Sequence, residues 1–246
     1  LMNIPYVSCG VTSSALCMDK VFAKKILQQS GLPVVEFKVY YKRDLTSRID
    51  EIISELESSI GYPCFVKPAN LGSSVGISKA KDKEGLKSAL SLAAQYDTKI
   101  LVEKFVDARE IECSVLGNDN PKASLPGEII PSREFYDYAA KYLDGDKSKL
   151  LLPAPLTHKD TAKIQELAIE AFKALDCCGM ARVDFLMCKV TGNIYINELN
   201  SIPGFTKISM YPKMWEISGL SYSALIDELI QLAIERHKQK NELKLA

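Results

Sequence analysis

The sequence has no excess of charge of either sign. Lys and Arg together number 31, and Asp and Glu together number 31, so the formal net charge is zero. Proteins that bind nucleic acid or an anionic membrane along a broad face carry an excess of basic residues. We therefore expect no nucleic-acid partner and no membrane partner, and any site for an anion has to be local.

Long apolar runs and the marks of secretion are also absent. No stretch approaches 18 uninterrupted apolar residues, and the first residues, LMNIPYVSCG, lack a basic segment followed by an apolar one. We expect neither a membrane span nor a signal peptide. The seven cysteines contain no CxxC pair and lie mostly in apolar runs. This favours reduced, buried thiols in a cytoplasmic protein.

The composition is typical of one or two globular domains, with 246 residues of which 47% are hydrophobic and 25% charged. Apolar residues at helical spacing predict one helix that is capped by Ser13 or Ser14 and ends at Gly31. Segments of strand and helix character then alternate along the chain, which predicts an α+β or α/β fold. After Gly204 we expect a polar turn through Ser209 to Pro212.

Residues 180–200 alternate polar and apolar side chains on both sides of a turn, which predicts a β-hairpin. With the turn centred on Thr191, Asp184 lies opposite Glu198, and Arg182 lies opposite Asn200. All four side chains then share one face. Toward the turn, the same face is expected to carry Leu186, Cys188, Ile194 and Ile196.

The acidic hairpin has two interpretations. Carboxylates in a covered sheet are costly without a positive charge nearby, and one arginine does not obviously neutralise both of them. A divalent cation would, and the oxygen donors Asp184, Glu198 and Asn200, with no His or Cys nearby, favour Mg²⁺ or Mn²⁺ over zinc. The alternative is a hairpin held by salt bridges alone, and the spacing does not decide between the two.

The loop GSSVG (72–76) offers backbone N–H groups and hydroxyls without bulky side chains, which suits a cover over phosphates. It lies between two predicted strands, whereas a P-loop or dinucleotide fingerprint leads from a strand into a helix. Lys20 and Lys67 add cations without obvious partners. A tight turn and two solvated lysines are the simpler alternatives. Phosphates, however, require cations on one side and a metal on the other.

The segment after the strand KILVEK (99–104) is a candidate for the nucleoside. Glu103 to Val106 could present a backbone edge to a base, and Glu110 could accept a hydrogen bond from a ribose hydroxyl. The alternative is a bend between strands with exposed charges. Together with the loop, the lysines and the hairpin, the segment indicates a nucleotide site.

Six segments in order resemble the D-alanine–D-alanine ligase family of the ATP-grasp superfamily, and the resemblance covers essentially the whole chain. They are SSALCMDK (13–20), VKPANLGSSVG (66–76), LVEKFVDAREIE (101–112), EFYDYAAKY (134–142), MARVDF (180–185) and INELNSIPGFTKISMYP (196–212). The resemblance implies an ATP-grasp fold, in which two α+β subdomains grip ATP between them. The implied parts are a linker with the first helix region (1–20), a central subdomain (21–107) and a C-terminal subdomain (108–246) with a lid loop (135–151) and a metal-binding hairpin (180–200).

The resemblance also implies a role for individual residues. Those expected to bind ATP are Lys20, Lys67, Ser73, Ser74, Val75, Glu103, Lys104, Val106, Glu110 and Lys141. Those expected at the reacting groups are Ser73, Tyr142, Arg182 and the backbone N–H of Gly204, with Ser209 and Met210 at the carboxylate of the second substrate. Asp184, Glu198 and Asn200 are the implied ligands of two Mg²⁺ or Mn²⁺ ions. Arg182 is assigned to the developing oxyanion rather than to neutralising its neighbours.

The implied reaction is the ligation of two D-alanines to D-alanyl-D-alanine through an acyl phosphate, with ATP converted to ADP, for peptidoglycan precursor synthesis. Tyr142 is expected to favour D-alanine over D-lactate, and the full-length protein is expected to be a homodimer. The family has an N-terminal domain that nothing before Ile4 can encode. We therefore expect this chain to be the ATP-grasp portion, which binds ATP and Mg²⁺ but ligates poorly alone. The alternatives are a nucleotide-binding module without ligase activity and an ATP-grasp ligase for another carboxylate.

Overall fold

The computed structural model of the protein describes residues 3–131, 149–206 and 208–244. The helices are α1 Val11–Met18, α2 Lys20–Gln29, α3 Lys42–Ser59, α4 Lys83–Tyr96, α5 His158–Ala174, α6 Met210–Ile217 and α7 Tyr222–Glu242. The strands are β1 Phe37–Tyr41, β2 Cys64–Pro68, β3 Ser78–Ala80, β4 Lys99–Lys104, β5 Ala108–Gly117, β6 Lys122–Ala123, β7 Gly127–Ile130, β8 Lys149–Leu151, β9 Gly179–Cys188 and β10 Ile194–Asn200.

The smaller of two sheets has four antiparallel strands in the order β1-β4-β2-β3. Helices α3 and α4 cover one face, where their apolar residues form a core with Val66 and Val102. Side chains alternate along a strand, so the opposite face presents Phe65, Lys67 and Glu103. Phe65 and Glu103 are direct partners in the register of β2 and β4.

The larger sheet has the strand order β10-β9-β5-β7-β8, with β6 also paired to β5. Helices α2 and α5 cover one face, around Phe172 and Phe185. Helices α6 and α7 cover only one end of the other face, through a core that includes Leu116, Met180 and Trp215. The other end of that face is left to the cavity described below.

The α+β class is confirmed, since the strand pairs of both described sheets are antiparallel. The prediction of one helix from Ser13 or Ser14 to Gly31 is wrong, because the chain forms α1 and α2 with a break at Asp19. The Asp19 side chain accepts hydrogen bonds from the N–H groups of Val21 and Phe22 and so caps a new helix.

The polar turn predicted through Ser209 to Pro212 is also wrong, because α6 begins at Met210. Pro212 lies in the first turn of α6. The N–H groups there have no partner within the helix, so proline is tolerated.

Helix α2 contacts both sheets, which bears on the predicted subdomains. Ala23 and Leu27 pack into the core of the larger sheet, whereas Val21 packs with Ala69 and Leu101 of the smaller one. The boundary expected near residue 21 stays a prediction. Within the described residues, no single helix is long and apolar enough to cross a membrane; only α6 and α7 counted together would be, and they are bent by 107°.

Candidate nucleotide and metal site

A cavity of about 780 Å³ lies between the free face of the smaller sheet and the uncovered end of the larger one. It brings together residues that are far apart in sequence. The predicted site residues that line it are Lys20, Lys67, Ser73, Ser74, Glu103, Lys104, Val106, Glu110, Arg182, Asp184 and Glu198. The cavity therefore collects the candidates for phosphate, base and metal in one place.

The acidic hairpin has the register expected from the sequence. Glu198 is paired with Asp184, and Asn200 with Arg182, across β9 and β10. Asn200 Nδ2 donates to Asp184 Oδ2 at 3.0 Å. The prediction that these four side chains share one face is confirmed.

The expected apolar continuation of that face is wrong in part, because the register of β9 and β10 shifts between Ile196 and Glu198. Ile196 is paired with Phe185, and both are buried in the core under α5. The extra residue, Asn197, forms a β-bulge and lines the cavity. The bulge lets Ile196 face the core while Glu198, two positions on, faces the site. A strict period of two misses Asn197 as a site residue.

Arg182 forms ion pairs with the neighbouring carboxylates of Asp184 and Glu112, whereas the sequence assigned it to the oxyanion rather than to neutralising its neighbours. Its Nε and Nη2 donate to the two carboxylate oxygens of Asp184, each at 2.7 Å. Its Nε also lies 3.1 Å from Glu112 Oε2. Burial by itself would lower the pKa of the Arg182 guanidinium, but the carboxylates of Asp184 and Glu112 outweigh it and raise that pKa. Sequence reasoning missed Glu112, which lines the cavity beside the hairpin.

The donor set fits a hard divalent cation. Asp184, Glu198 and Asn200 offer oxygen atoms at neighbouring positions of two paired strands, and such ligands suit Mg²⁺ or Mn²⁺. Among the residues that the structure describes, no three His, Cys, Asp or Glu side chains form a metal cluster by themselves. A cation held here would therefore take the Asn200 amide as a further ligand.

Lys20 lies between the glycine-rich loop and the hairpin. Its Nζ donates to the carbonyl oxygen of Leu71, just before the loop, at 2.6 Å. The same atom lies 3.5 Å from Glu198 Oε2. The expectation that Lys20 lacks a partner is wrong, and its position at the start of α2 provides the link.

The second predicted phosphate lysine, Lys67, is also paired. It forms an ion pair with Glu103 Oε2, while Lys24 Nζ lies 2.6 Å from Glu103 Oε1. Burial by itself would raise the pKa of the Glu103 carboxyl, but the ammonium groups of Lys24 and Lys67 lower it to about 2. Lys24 was not predicted from the sequence, where it is one of many lysines on an amphipathic helix.

The loop between β2 and β3 adopts a backbone that few residues favour. Ser73, Ser74 and Gly76 have φ of 53°, 59° and 70°, in the left-handed region. A Cβ at Gly76 would lie 2.7 Å from Tyr96 Cδ2 and 2.8 Å from Pro68 Cγ. Glycine is therefore required at position 76 both by its φ and by its neighbours. Val75 is not among the residues that line the cavity.

The end of the cavity near Lys104 and Val106 is aromatic. Phe65 and Phe105 have ring centroids 6.0 Å apart, and Lys79 Nζ lies 3.8 Å from the Phe105 centroid. Phe65, Lys79 and Leu186 line the cavity and were not predicted as site residues. Phe65 alternates with the buried residues Cys64 and Val66 along β2, and this alternation could have indicated that Phe65 faces the cavity.

The remaining predicted residues lie elsewhere. Gly204, Ser209 and Met210 do not line the cavity. A Cβ at Gly204 would lie 2.9 Å from Ser209 Oγ, and Ser209 Oγ accepts from the N–H of Thr206 at 3.0 Å. The Met210 side chain is buried and packs beside Gly127. Lys141 and Tyr142 lie outside the described residues.

Comparison with known families gives one match over most of the chain. Residues 26–231 match the family described as "D-ala D-ala ligase C-terminus". The match includes the glycine-rich loop, the hairpin and α6.

Individual relatives carry the same name. The chain is 61% identical over 240 residues to a D-alanine--D-alanine ligase of Thermoanaerobacter sp. (strain X514), covering 98% of this chain and 66% of the relative. It is 54% identical to that of Ruminiclostridium cellulolyticum, covering 97% of this chain and 64% of the relative. The chain thus spans slightly less than two thirds of the length of these relatives.

Solved structures agree in fold. The D-alanine-D-alanine ligase from Coxiella burnetii superimposes with a TM-score of 0.85 at 42% identity, covering 98% of this chain and 64% of that one. The VanG D-Ala:D-Ser ligase from Enterococcus faecalis gives a TM-score of 0.84 at 39% identity, covering 94% of this chain and 65% of that one. The described sheets and helices therefore form the ATP-grasp fold expected from the sequence.

Proposed function

Because the chain belongs to the D-alanine–D-alanine ligase C-terminal family, we propose that it supplies the ATP-binding portion of a ligase that joins two D-alanines. The reaction converts ATP to ADP and makes D-alanyl-D-alanine for peptidoglycan precursors in the cytoplasm. The resemblance seen in the sequence and the names of the relatives support this proposal.

The position of Lys20 is the observation that carries the proposal. Its ammonium group contacts Leu71 at the start of the glycine-rich loop and lies 3.5 Å from Glu198 on the hairpin. A triphosphate needs cations and donors on one side and a metal on the other. Lys20 joins these two sides across one cavity, and an ordinary surface lysine would not.

The chemistry explains why such a site is needed. A carboxylate is a poor acylating agent, so the first D-alanine attacks the γ-phosphate of ATP and becomes an acyl phosphate. The amine of the second D-alanine then attacks the carbonyl carbon, and phosphate leaves. Both steps concentrate negative charge, which fixed cations and N–H donors stabilise without reorganising. Water also has to be kept from the acyl phosphate, which would otherwise hydrolyse.

We assign the groups as follows. Lys20, Lys67 and the loop with Ser73 and Ser74 hold the phosphates, and the region from Glu103 to Glu110 holds the nucleoside. Asp184, Glu198 and Asn200 would hold Mg²⁺, which would supply charge neutralisation at the phosphate oxygens. Arg182 keeps the Asp184 carboxylate oriented and, because it lines the same cavity, serves the oxyanion as well.

Further assignments complete the proposal. Val75 belongs to the cover over the phosphates, and Lys141 and Tyr142 close the site from the lid. Gly204 N–H acts at the oxyanion, with Ser209 and Met210 at the carboxylate of the second substrate. Two divalent ions, D-alanine as substrate and a homodimer of the full-length protein are part of the same proposal.

The test measures phosphate release by the full-length protein with ATP, Mg²⁺ and D-alanine. We expect release to depend on D-alanine and to fall roughly 100-fold or more in Glu198→Gln, because a charge that acts in the transition state is lost. Glu166→Gln, which removes an exposed carboxylate on α5, is the matched control and should behave as wild type. Phosphate release that does not respond to D-alanine would refute the ligase. Retained ATP binding without turnover would instead favour a nucleotide-binding module.

A further inference from the structure

Glu103 is held between two lysines in the interior of the protein. Lys24 Nζ lies 2.6 Å from Glu103 Oε1, and Lys67 forms an ion pair with Glu103 Oε2. The side chains of Lys24 and Glu103 are only 2% and 4% exposed, and that of Lys67 is 12% exposed. The trio has one negative and two positive charges and so carries a net charge of +1.

The two lysines are not equivalent. Lys67 and Glu103 line the cavity, whereas Lys24 does not. Lys24 projects from α2 and contacts Glu103 Oε1, whereas Lys67 contacts the other carboxylate oxygen, Oε2. Only Lys67 can therefore exchange its partner for a ligand in the cavity.

Such an exchange costs free energy unless Glu103 keeps another counter-ion. Removing one partner of a buried ion pair is strongly destabilising, because the remaining charge is left in a poorly solvated place. A ligand phosphate that attracts Lys67 would leave Glu103 in that state if Lys24 were absent. With Lys24 present, Glu103 keeps a counter-ion and Lys67 is released at a lower cost.

We propose that Lys24 is a positioning residue that holds the Glu103 carboxylate in place while Lys67 moves from that carboxylate to a phosphate of the bound nucleotide. This inference rests on the proposed function, which supplies the nucleotide. Lys24 touches neither the phosphate nor the base; it acts through Glu103. The exchange also keeps Glu103 ionised and fixed at the edge of the cavity, beside Lys104.

The test is calorimetric titration of the full-length protein with ATP and Mg²⁺ at pH 7.5, without D-alanine, in buffers of different ionisation enthalpy. Lys24→Met removes the charge at similar length, and Lys25→Met, an exposed lysine at the next position, is the matched control. We expect Lys24→Met to bind ATP roughly 10- to 100-fold more weakly, because Lys67 cannot leave Glu103 cheaply. Lys25→Met should bind as wild type does.

Proton uptake distinguishes this role from a merely structural one. In Lys24→Met, Glu103 loses its last counter-ion when ATP draws Lys67 away, and a buried carboxylate without a counter-ion takes up a proton. ATP binding to Lys24→Met should therefore be accompanied by proton uptake, whereas binding to the wild type should not. Adenosine, which has no phosphate, should bind to both with similar affinity and no proton uptake.

The double variant Lys24→Met/Glu103→Gln tests the same idea from the other side. It removes both charges of the buried pair, so Lys67 is free, and adding Lys24→Met to Glu103→Gln should weaken ATP binding by no more than about twofold. The double variant also replaces Lys24→Met if that single variant does not fold. A loss of ATP affinity from Lys24→Met that is as large in the Glu103→Gln background as in the wild type would overturn the inference.

The outcomes separate the two proposals. A wild-type protein that does not bind ATP would contradict the proposed function itself. A wild type that binds ATP while Lys24→Met binds equally well, without proton uptake, would contradict only the role of Lys24.

Discussion

Glu103→Gln should change the acid stability of the protein in a way that can be worked out from the structure. The pKa of the Glu103 carboxyl is lowered from 4.5 to about 2, since Lys24 and Lys67 outweigh the burial that would raise it. A carboxyl whose pKa is lower in the folded state contributes stability above its unfolded pKa. That contribution is lost as the pH falls through the folded pKa.

The magnitude follows from the two pKa values. A difference of this size is worth about 3 kcal/mol at pH 7, at 1.36 kcal/mol for each pKa unit. At pH 5 nearly all of it remains, and at pH 3 less than half does. Wild type should therefore lose about 2 kcal/mol more than Glu103→Gln between pH 5 and pH 3. The amide introduced by the substitution has no proton to gain in that range.

The assay is urea unfolding of the full-length protein at pH 3, 5 and 7, followed by hydrogen exchange in peptides that contain β4. Such peptides report on the unit that holds Glu103, which matters because a protein with several domains need not unfold in one step. Glu166→Gln controls for the loss of one acidic group at an exposed position. Equal pH slopes in wild type and Glu103→Gln would refute the reasoning, because Glu103 would then not be held ionised.

Two further predictions concern the loop and the thiols. Gly76→Ala should lower the free energy of unfolding by about 2–4 kcal/mol, because Gly76 has a left-handed φ and its Cβ would crowd Tyr96 and Pro68. The control Gly72→Ala, with open space around the residue, should change that free energy by less than about 1 kcal/mol. Thermal unfolding measures both variants, and equal effects would contradict the crowding at Gly76. Burial raises the pKa of the Cys113 thiol to about 12, while the Thr191 hydroxyl lowers the pKa of Cys188. Because the thiolate is the nucleophile, iodoacetamide at pH 7.5 should label Cys188 well before Cys113 by mass spectrometry, and the reverse order would contradict these shifts.

Local rules predicted the elements that depend on neighbours in the sequence. The hairpin register of Asp184 with Glu198 follows from alternation and turn position, and it is observed. Thr157, a residue type that favours N-cap positions, caps α5 through its side chain. The same local rules failed at Asp19, where a cap residue within an apolar pattern ends one helix and begins another. At α6 a proline in the first turn resembled a helix breaker.

Motifs predicted the site residues but not their contacts. Lys20 and Lys67 were recognised from their segments, yet the sequence showed no partners for them, because Glu198 and Glu103 lie on other elements. Arg182 was recognised, but its bidentate hydrogen bond to Asp184 depends on side-chain geometry within the sheet.

The sequence by itself therefore determined the fold class, the family and many of the polar residues that line the cavity, because these depend on local spacing and motif order. Only the tertiary structure decided which charges meet. It placed the bulge at Asn197, which turns Glu198 to the cavity while Ile196 stays in the core. It also placed Lys24 against Glu103. The physical reason is that ion pairing depends on distance and burial, and both arise when strands and helices remote in sequence pack together.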